Sequence, residues 1–366
     1  MRVRSFLFIF LSIFTIILVQ RVSLAFNYSY RISIDNTKNP NTLTNYPVRI
    51  VVDTYTLISQ GKMRSDCGDI RFSTSSNDWN VATGLPYWIE SGCNTLNTVI
   101  WVKVPSIPAS STTTIYMYFG DPSVTSISNG DETFSFFDDF TSSTLNTSKW
   151  SIPGSYSISG GLIRLSAPST LRSIPTFSPS NILEFRGNLS PSSTTYTYRG
   201  YYYSSTYYSY LYTNGTSELA FKVGAGTSSG VVNLTYETDW NIWGIAYNGS
   251  YWQLYRGRYL YKNISGVGSG STYYAYFQIS NSGYIYLDWV RVRPYSYPEP
   301  STSVDYTLIK RPLFYYSYSI SINNAQNSNS LSNYPVRIVV DTYTLISQGK
   351  MRSDCGDIRF STYSED

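Results

Sequence analysis

The chain contains no histidine. That removes Ser-His-Asp and Cys-His nucleophilic sites and every histidine-ligated metal centre. A cysteine nucleophile would lack its base, and no glycine-rich phosphate loop is present. Carboxylates are left as the side chains able to run acid–base chemistry, and glycoside hydrolysis would need two of them facing each other about 5–10 Å apart. Glu237 and Asp239, in E-T-D, share one face of any strand they form. Asp138 and Asp139 are adjacent and point to opposite faces of a strand, and Asp66 and Asp69 flank Cys67. Either of these last two pairs would suit a structural Ca²⁺, which takes about six to eight oxygens, or would serve equally as solvated loop acids. No other cofactor is implied.

The tyrosines point to binding rather than catalysis. TYTYRGYYYSSTYYSYLYTNG, residues 195–215, packs nine of them into two strands joined at Ser204-Ser205. Alternation places Tyr196, Tyr198 and Tyr202 on one face, Tyr201 and Tyr203 on the other, and Tyr208, Tyr210 and Tyr212 in phase on the second strand. One face must be core. The opposite face presents flat rings with hydroxyls, which can stack on a sugar while hydrogen bonding, or can simply pair across strands in an exposed sheet. Trp88, Trp101, Trp150 and Trp289 read as core, and Trp252 suits either core or ligand.

The N-terminus, MRVRSFLFIFLSIFTIILVQRVSLA, has Arg2 and Arg4 before an apolar run from Phe6 to Val19, with small residues at Ser23 and Ala25. This predicts a secretory signal cleaved after Ala25. The alternative is an uncleaved anchor, although the run is shorter than the roughly 20 residues of a membrane span. Losing Arg2, Arg4 and Arg21 takes the 27 Lys and Arg to 24, against 23 Asp and Glu. A near-neutral chain without basic runs is not expected to bind nucleic acid.

Export permits disulfides. Cys67 and Cys93, flanking a predicted strand, are expected to pair, with two buried free thiols as the alternative. Sequons at Asn27, Asn146, Asn188, Asn214, Asn233, Asn248 and Asn263 are candidate glycosylation sites on an extracellular or cell-surface protein. Membrane attachment would come only through an uncleaved signal or a further C-terminal anchor.

Elements that could position these residues are almost all strands. Tyrosine is about a tenth of the chain, charged residues are sparse, and short alternating stretches lie between Gly, Pro, Asn and Ser turns. This predicts an all-β protein of tandem sandwiches: a small one over residues 26–131 and a larger jelly roll over 132–294, after the signal at 1–25. Three prolines, Pro298, Pro300 and Pro312, suggest a linker over 295–314. NYPVRIVVDTYTLISQGKMRSDCGDIRFST runs from Asn45 to Thr74 and again, unchanged, from Asn333 to Thr362. The offset of 288 makes residues 315–366 a truncated second copy of the first module, with Cys355 the image of Cys67. Such repeats commonly form stalks or multivalent surfaces.

YPVRIVVDTYTLISQGKMRSDCGDIRF, then LPYWIESGCNTLNTVIWVKVPSIPASSTTTIYMYFGDPS and SNGDETFSFFDDF, resemble the DUF2341 family over residues 28–140 and again after Tyr315. That family, found in archaeal and bacterial surface proteins, carries no assigned function. FFDDF, GGLIRLS and YLDWVRVRP resemble the concanavalin A-like lectin/glucanase (LamG-like) sandwich, which implies carbohydrate binding or adhesion for the second module. Glucanases of that fold carry E-x-D-x-E or E-x-D-x-x-E, but here Asn241 and Ile242 stand where the third acid is needed. The expectation is therefore a non-enzymatic protein whose partners are glycans or surface proteins. A purely structural stalk or coat repeat is the alternative, and an endoglycosidase is disfavoured.

Overall fold

The computed structural model describes residues 26–366, apart from 82, 191–194, 216–217, 237–238, 312–317, 333 and 361–366. The signal segment and Glu237 lie outside the described residues. The chain divides into two compact units, Met1–Ile309 and Lys310–Asp366.

The strands of the first unit begin with β1 (Tyr28–Asp35), β2 (Leu43–Val52), β3 (Arg71–Ser73), β4 (Tyr87–Ser91), β5 (Thr98–Ile107) and β6 (Thr112–Phe119). Next come β7 (Phe136–Asp138), β8 (Trp150–Ser151), β9 (Gly154–Ser159), β10 (Leu162–Ser173), β11 (Asn181–Ser190), β12 (Tyr196–Ser204), β13 (Tyr207–Asn214) and β14 (Glu218–Ala225). The series ends with β15 (Ser228–Leu234), β16 (Asn241–Tyr247), β17 (Tyr251–Arg256), β18 (Tyr259–Ser265), β19 (Tyr274–Ser280), β20 (Tyr284–Pro294) and β21 (Ser301–Lys310). Two short helices, α1 (Thr54–Ser59) and α2 (Gly130–Thr133), interrupt them.

The first sandwich packs a β21-β1-β6-β3 sheet on a β2-β5-β4 sheet. Its core follows the alternation of the sequence: Ile32 and Ile34 from β1, Val48, Ile50 and Val52 from β2, and Ile115, Met117 and Phe119 from β6 are buried together. Asp53 starts α1 by accepting from the Thr56 backbone N–H at 2.9 Å, an N-cap. A disulfide joins Cys67 to Cys93, whose Cα atoms are 6.0 Å apart, and so ties the loop after α1 to the β4–β5 hairpin.

The proline-rich linker expected over 295–314 is corrected here. Between Pro300 and Pro312, residues 301–310 form β21, hydrogen-bonded along β1. Val304 and Leu308 alternate inward onto the first core, Thr302 Oγ1 donates to the Arg49 carbonyl at 2.6 Å, and Arg31 pairs with Asp305 at 3.0 Å. The first sandwich is therefore built from residues on both sides of the second.

The second sandwich is one 14-stranded sheet, ordered β15-β14-β13-β12-β19-β10-β20-β11-β16-β17-β18 along its main path. It folds over on itself. β15 and β18 approach each other, and a single core, including Leu165, Phe185, Tyr201, Phe221, Trp252 and Phe277, lies between its halves. Where the halves meet, β10 breaks register between Ser166 and Ser169, the kind of irregularity by which a strand turns a sheet corner.

A third cluster locks the two sandwiches together: Trp88 and Trp101 from the first, with Phe134, Phe137 and Trp289. The Arg291 guanidinium lies 4.2 Å from the Trp101 ring centre and 4.4 Å from that of Trp289. It donates to Glu90 and Glu184, each at 2.7 Å. Arg293 donates to Glu184 at 2.9 Å and also to Glu299, which accepts from the Tyr46 hydroxyl at 2.6 Å.

In the second unit, α3 (Thr342–Ser347) is capped by Asp341 as α1 is by Asp53. No strand forms among its described residues after Lys310, the end of β21. In the first sandwich, the β2 segment pairs only with β5, and the β1 and β3 segments pair with β6. These pairings are non-local, and the identical stretch forms none among its described residues.

Candidate functional site

The outer face of β14, β13, β12, β19 and the end of β10 carries most of the tyrosines that stand out in the sequence. Its order follows from register. One cross-strand row runs Tyr274, Tyr202, Tyr208 and Gly224. The next runs Arg172, Tyr276, Gly200, Tyr210 and Lys222. A third runs Thr170, Gln278, Tyr198, Tyr212 and Ala220. On the other face of the same strands, Leu171, Phe277, Tyr201, Leu211 and Phe221 fill the core. One side of the sheet is closed, with Thr197, Arg199, Ser209 and Thr213 buried beside these apolar residues, and the other is aromatic and open to solvent.

The rings support one another. Tyr202 stacks on Tyr276 at 4.6 Å between centroids, and Tyr208 on Tyr210 at 4.7 Å. Tyr198 meets Tyr210 edge-on at 5.1 Å and Tyr212 at 5.4 Å. Two small residues make room for this. A Cβ at Gly224 would lie 2.6 Å from the Tyr208 ring, and one at Gly200 would lie 2.5 Å from the Ser209 carbonyl. Burial, with the neighbouring hydroxyls, pushes Tyr198, Tyr210 and Tyr276 above the usual tyrosine range. These three stay neutral over physiological pH, as hydrogen-bond donors and acceptors.

Not every expected site residue joins this face. Trp252 is 0% exposed: β17 turns it inward, where it packs on Tyr273 at 5.6 Å and donates to the Gly268 carbonyl at 2.8 Å. Its place in a ligand site is withdrawn. Tyr210 is on the face but only 9% exposed, so it acts as a floor on which Tyr198 and Tyr208 rest. Tyr196 lies at the exposed margin beside Asn214. Alternation put Tyr201 and Tyr203 on a common face, yet Tyr201 is core while Tyr203 is 54% exposed. A register shift between Tyr202 and Ser204 turns the chain there, and Tyr203 lies parallel to Tyr274. Tyr274, Tyr276, Arg172 and Lys222 were missed by the sequence reading. Alternation in YAYFQIS was the available signal for the first two, but not which strand they would join.

The candidate acids have other work. Asp138 accepts from the Trp150 indole at 2.8 Å and the Phe140 N–H at 2.9 Å, and burial raises its carboxyl pKa. Asp139 caps Thr141. Both line a polar cleft of about 320 Å³ with Asn129, Asp131 and Lys149, where Lys149 pairs with Asp131 at 2.6 Å. Asp69 accepts from the Arg64 and Gly120 amides, and Asp66 pairs with Arg64 at 2.8 Å. Among the described residues no three acidic or cysteine side chains converge as a metal site requires.

Of the sequons, Asn27, Asn146, Asn233 and Asn263 are exposed, whereas Asn188, Asn214 and Asn248 are half-buried. Asn27 Nδ2 donates to the Gly120 carbonyl at 2.6 Å, and Asn248 Oδ1 accepts from the Ser250 and Tyr251 amides. Asn214 and Asn233 share the tyrosine face, at its margin beside Tyr196 and Ala220.

Residues 66–153 match the family model "Domain of unknown function (DUF2341)". The match starts near the Cys67 loop and runs through the inter-sandwich cluster into β8. It leaves out residues 315–366. Among solved structures, the chain is similar to a glycosyl hydrolase family protein from Mycobacterium fortuitum: 16% identity, 43% of this chain and 99% of that one, TM-score 0.38. It is also similar to a β-glucanase of Bacillus licheniformis, at 15% identity over 43% and 97% of the chains, TM-score 0.37. A protein described as an immunostimulatory antigen and pseudo β-1,3-glucanase of Mycobacterium tuberculosis follows at 14% identity over 44% and 99%, TM-score 0.38. No curated protein matches the chain. Among the described residues no helix is long and apolar enough to cross a membrane.

Proposed function

We propose that the protein is an exported, non-enzymatic carbohydrate-binding or adhesive protein and that its second sandwich holds glycan on the tyrosine face. The observation that carries this reading is the co-alignment of Tyr198, Tyr202, Tyr208, Tyr212, Tyr274 and Tyr276 on one solvent side of four-strand pairing β19-β12-β13-β14. A sugar ring has apolar C–H faces and equatorial hydroxyls. Supported tyrosine rings offer area for the first and a neutral hydroxyl for the second, at little conformational cost.

The chemistry of the face argues for holding rather than cutting. Glu218 is the one carboxylate within β10, β12, β13, β14, β15 and β19, and it meets Lys222 at 3.6 Å. Hydrolysis needs two carboxyls across the scissile bond. Glu184, the buried acid of the second sandwich, is committed to Arg291 and Arg293.

A glycan-array screen of the full chain tests the reading, run beside Tyr202→Ala/Tyr208→Ala. Binding that the double variant loses supports it. No binding by folded wild type to any glycan favours the structural-repeat reading instead.

A further inference from the structure

From the order of side chains in the middle row, and resting on the tyrosine face as the glycan site, we propose that the ligand is an anionic polysaccharide lying across the strands. The row reads Arg172, Tyr276, Gly200, Tyr210, Lys222, one residue from each of five adjacent strands. Four strand spacings separate its ends, about 19 Å. A single sugar cannot span that, but several linked sugars can. The row is aromatic and neutral in its interior and cationic at both ends.

Both cations are held down on the aromatic floor. The Arg172 guanidinium sits 4.7 Å from the Tyr274 ring centre, and Lys222 Nζ sits 3.3 Å from that of Tyr212. Cation–π contact restrains each side chain without consuming its N–H donors. Arg172 is exposed and pairs with no acid among the described residues. Lys222 meets Glu218 at 3.6 Å, but both are partly exposed, and such a pair is weak. A neutral glycan would leave these two charges unused. A carboxylate or sulfate ester would receive a planar fork from Arg172 and a point charge from Lys222.

The test is affinity electrophoresis of the full chain through gels carrying polygalacturonate, dextran sulfate or the neutral β-glucan laminarin, at low and high salt. Four proteins are compared: wild type, Arg172→Gln/Lys222→Gln, Arg172→Gln alone and Tyr202→Ala/Tyr208→Ala. Arg172 is exposed, so its single variant keeps the test open if the double variant unfolds. The expected result is retention of wild type by at least one polyanion, weakened by salt. Each cation removed should weaken retention roughly ten-fold, and the tyrosine variant should lose it with both cations intact.

Three results overturn the proposal. Salt-insensitive retention by laminarin alone refutes the anionic class and leaves the tyrosine face as the glycan site. Polyanion retention that survives in the tyrosine variant marks plain ion exchange. Absence of retention in all three gels overturns the anionic class and counts against the glycan reading too.

Discussion

Arg291 and Glu90 belong to different sandwiches, and the guanidinium of the first donates to the carboxylate of the second at 2.7 Å with both side chains almost wholly buried. The same Glu90 oxygen accepts from the Trp101 indole at 2.7 Å, and Arg291 reaches Glu184 with its Nε. One cation thus satisfies an acid on each side of the junction while Trp88, Trp101 and Trp289 surround its face. The tyrosine face is therefore carried on a body that cannot pivot freely about residues 120–135.

Cutting that link should be costly. Arg291→Ala leaves Glu90 and Glu184 buried without their shared partner, and removing one side of a buried pair costs about 3–5 kcal/mol. Urea unfolding should show that loss. A change below about 1 kcal/mol would mean the junction is wet and weak.

The same network sets an acid limit. Burial pushes the Glu184 carboxyl up, but Arg291 and Arg293 overcome this and hold it at about 2, below its ordinary 4.5. A depressed carboxyl stabilises the fold fully above its unfolded pKa, and that stability drains as pH falls from 4.5 towards 2. The shift corresponds to roughly 3 kcal/mol. Glu184→Gln should be less stable than wild type at neutral pH, with the gap closing across that window in thermal unfolding followed from pH 6 to 2. A gap that stays constant with pH contradicts the assignment.

β21 should be needed by the first sandwich although it follows the second in sequence. Val304→Ser/Leu308→Ser removes two half-buried side chains from the first core and should cost about 1 kcal/mol each. Hydrogen exchange should then quicken at β1 amides paired to β21. Unchanged protection in β1 would return residues 301–310 to the status of a linker.

Reducing the Cys67–Cys93 disulfide frees a loop of 26 residues and should lower stability by about 3 kcal/mol on the loop-entropy account. Unfolding with and without reductant, with Cys355→Ser as background, measures it.

How far the sequence could be read is clearest at Ile50 and Ile338, the same residue in two identical stretches. Ile50 is 0% exposed and Ile338 is 37% exposed. Local signals survive in both copies: Asp53 and Asp341 each cap a helix over TYTLIS. Strands do not, because β2 exists only against β5. The same logic governs the tyrosine face. Alternation within β12 and β13 was legible, since that hairpin closes over a few residues. Pairing of β12 with β19, which brings in Tyr274 and Tyr276, spans over seventy residues and had no local sign. Trp252 was ambiguous because position in a strand does not say which face is core. The strand between Pro300 and Pro312 was obscured by the prolines that end it.

The most direct test of the tyrosine face is hydroxyl-radical footprinting of the full chain, read by mass spectrometry, with and without whichever polysaccharide it retains. Protection is expected at Tyr198, Tyr202, Tyr208, Tyr212, Tyr274 and Tyr276, and none at Tyr259, which is exposed on β18. Protection confined to the cleft beside Lys149, with those six tyrosines unchanged, would contradict that expectation.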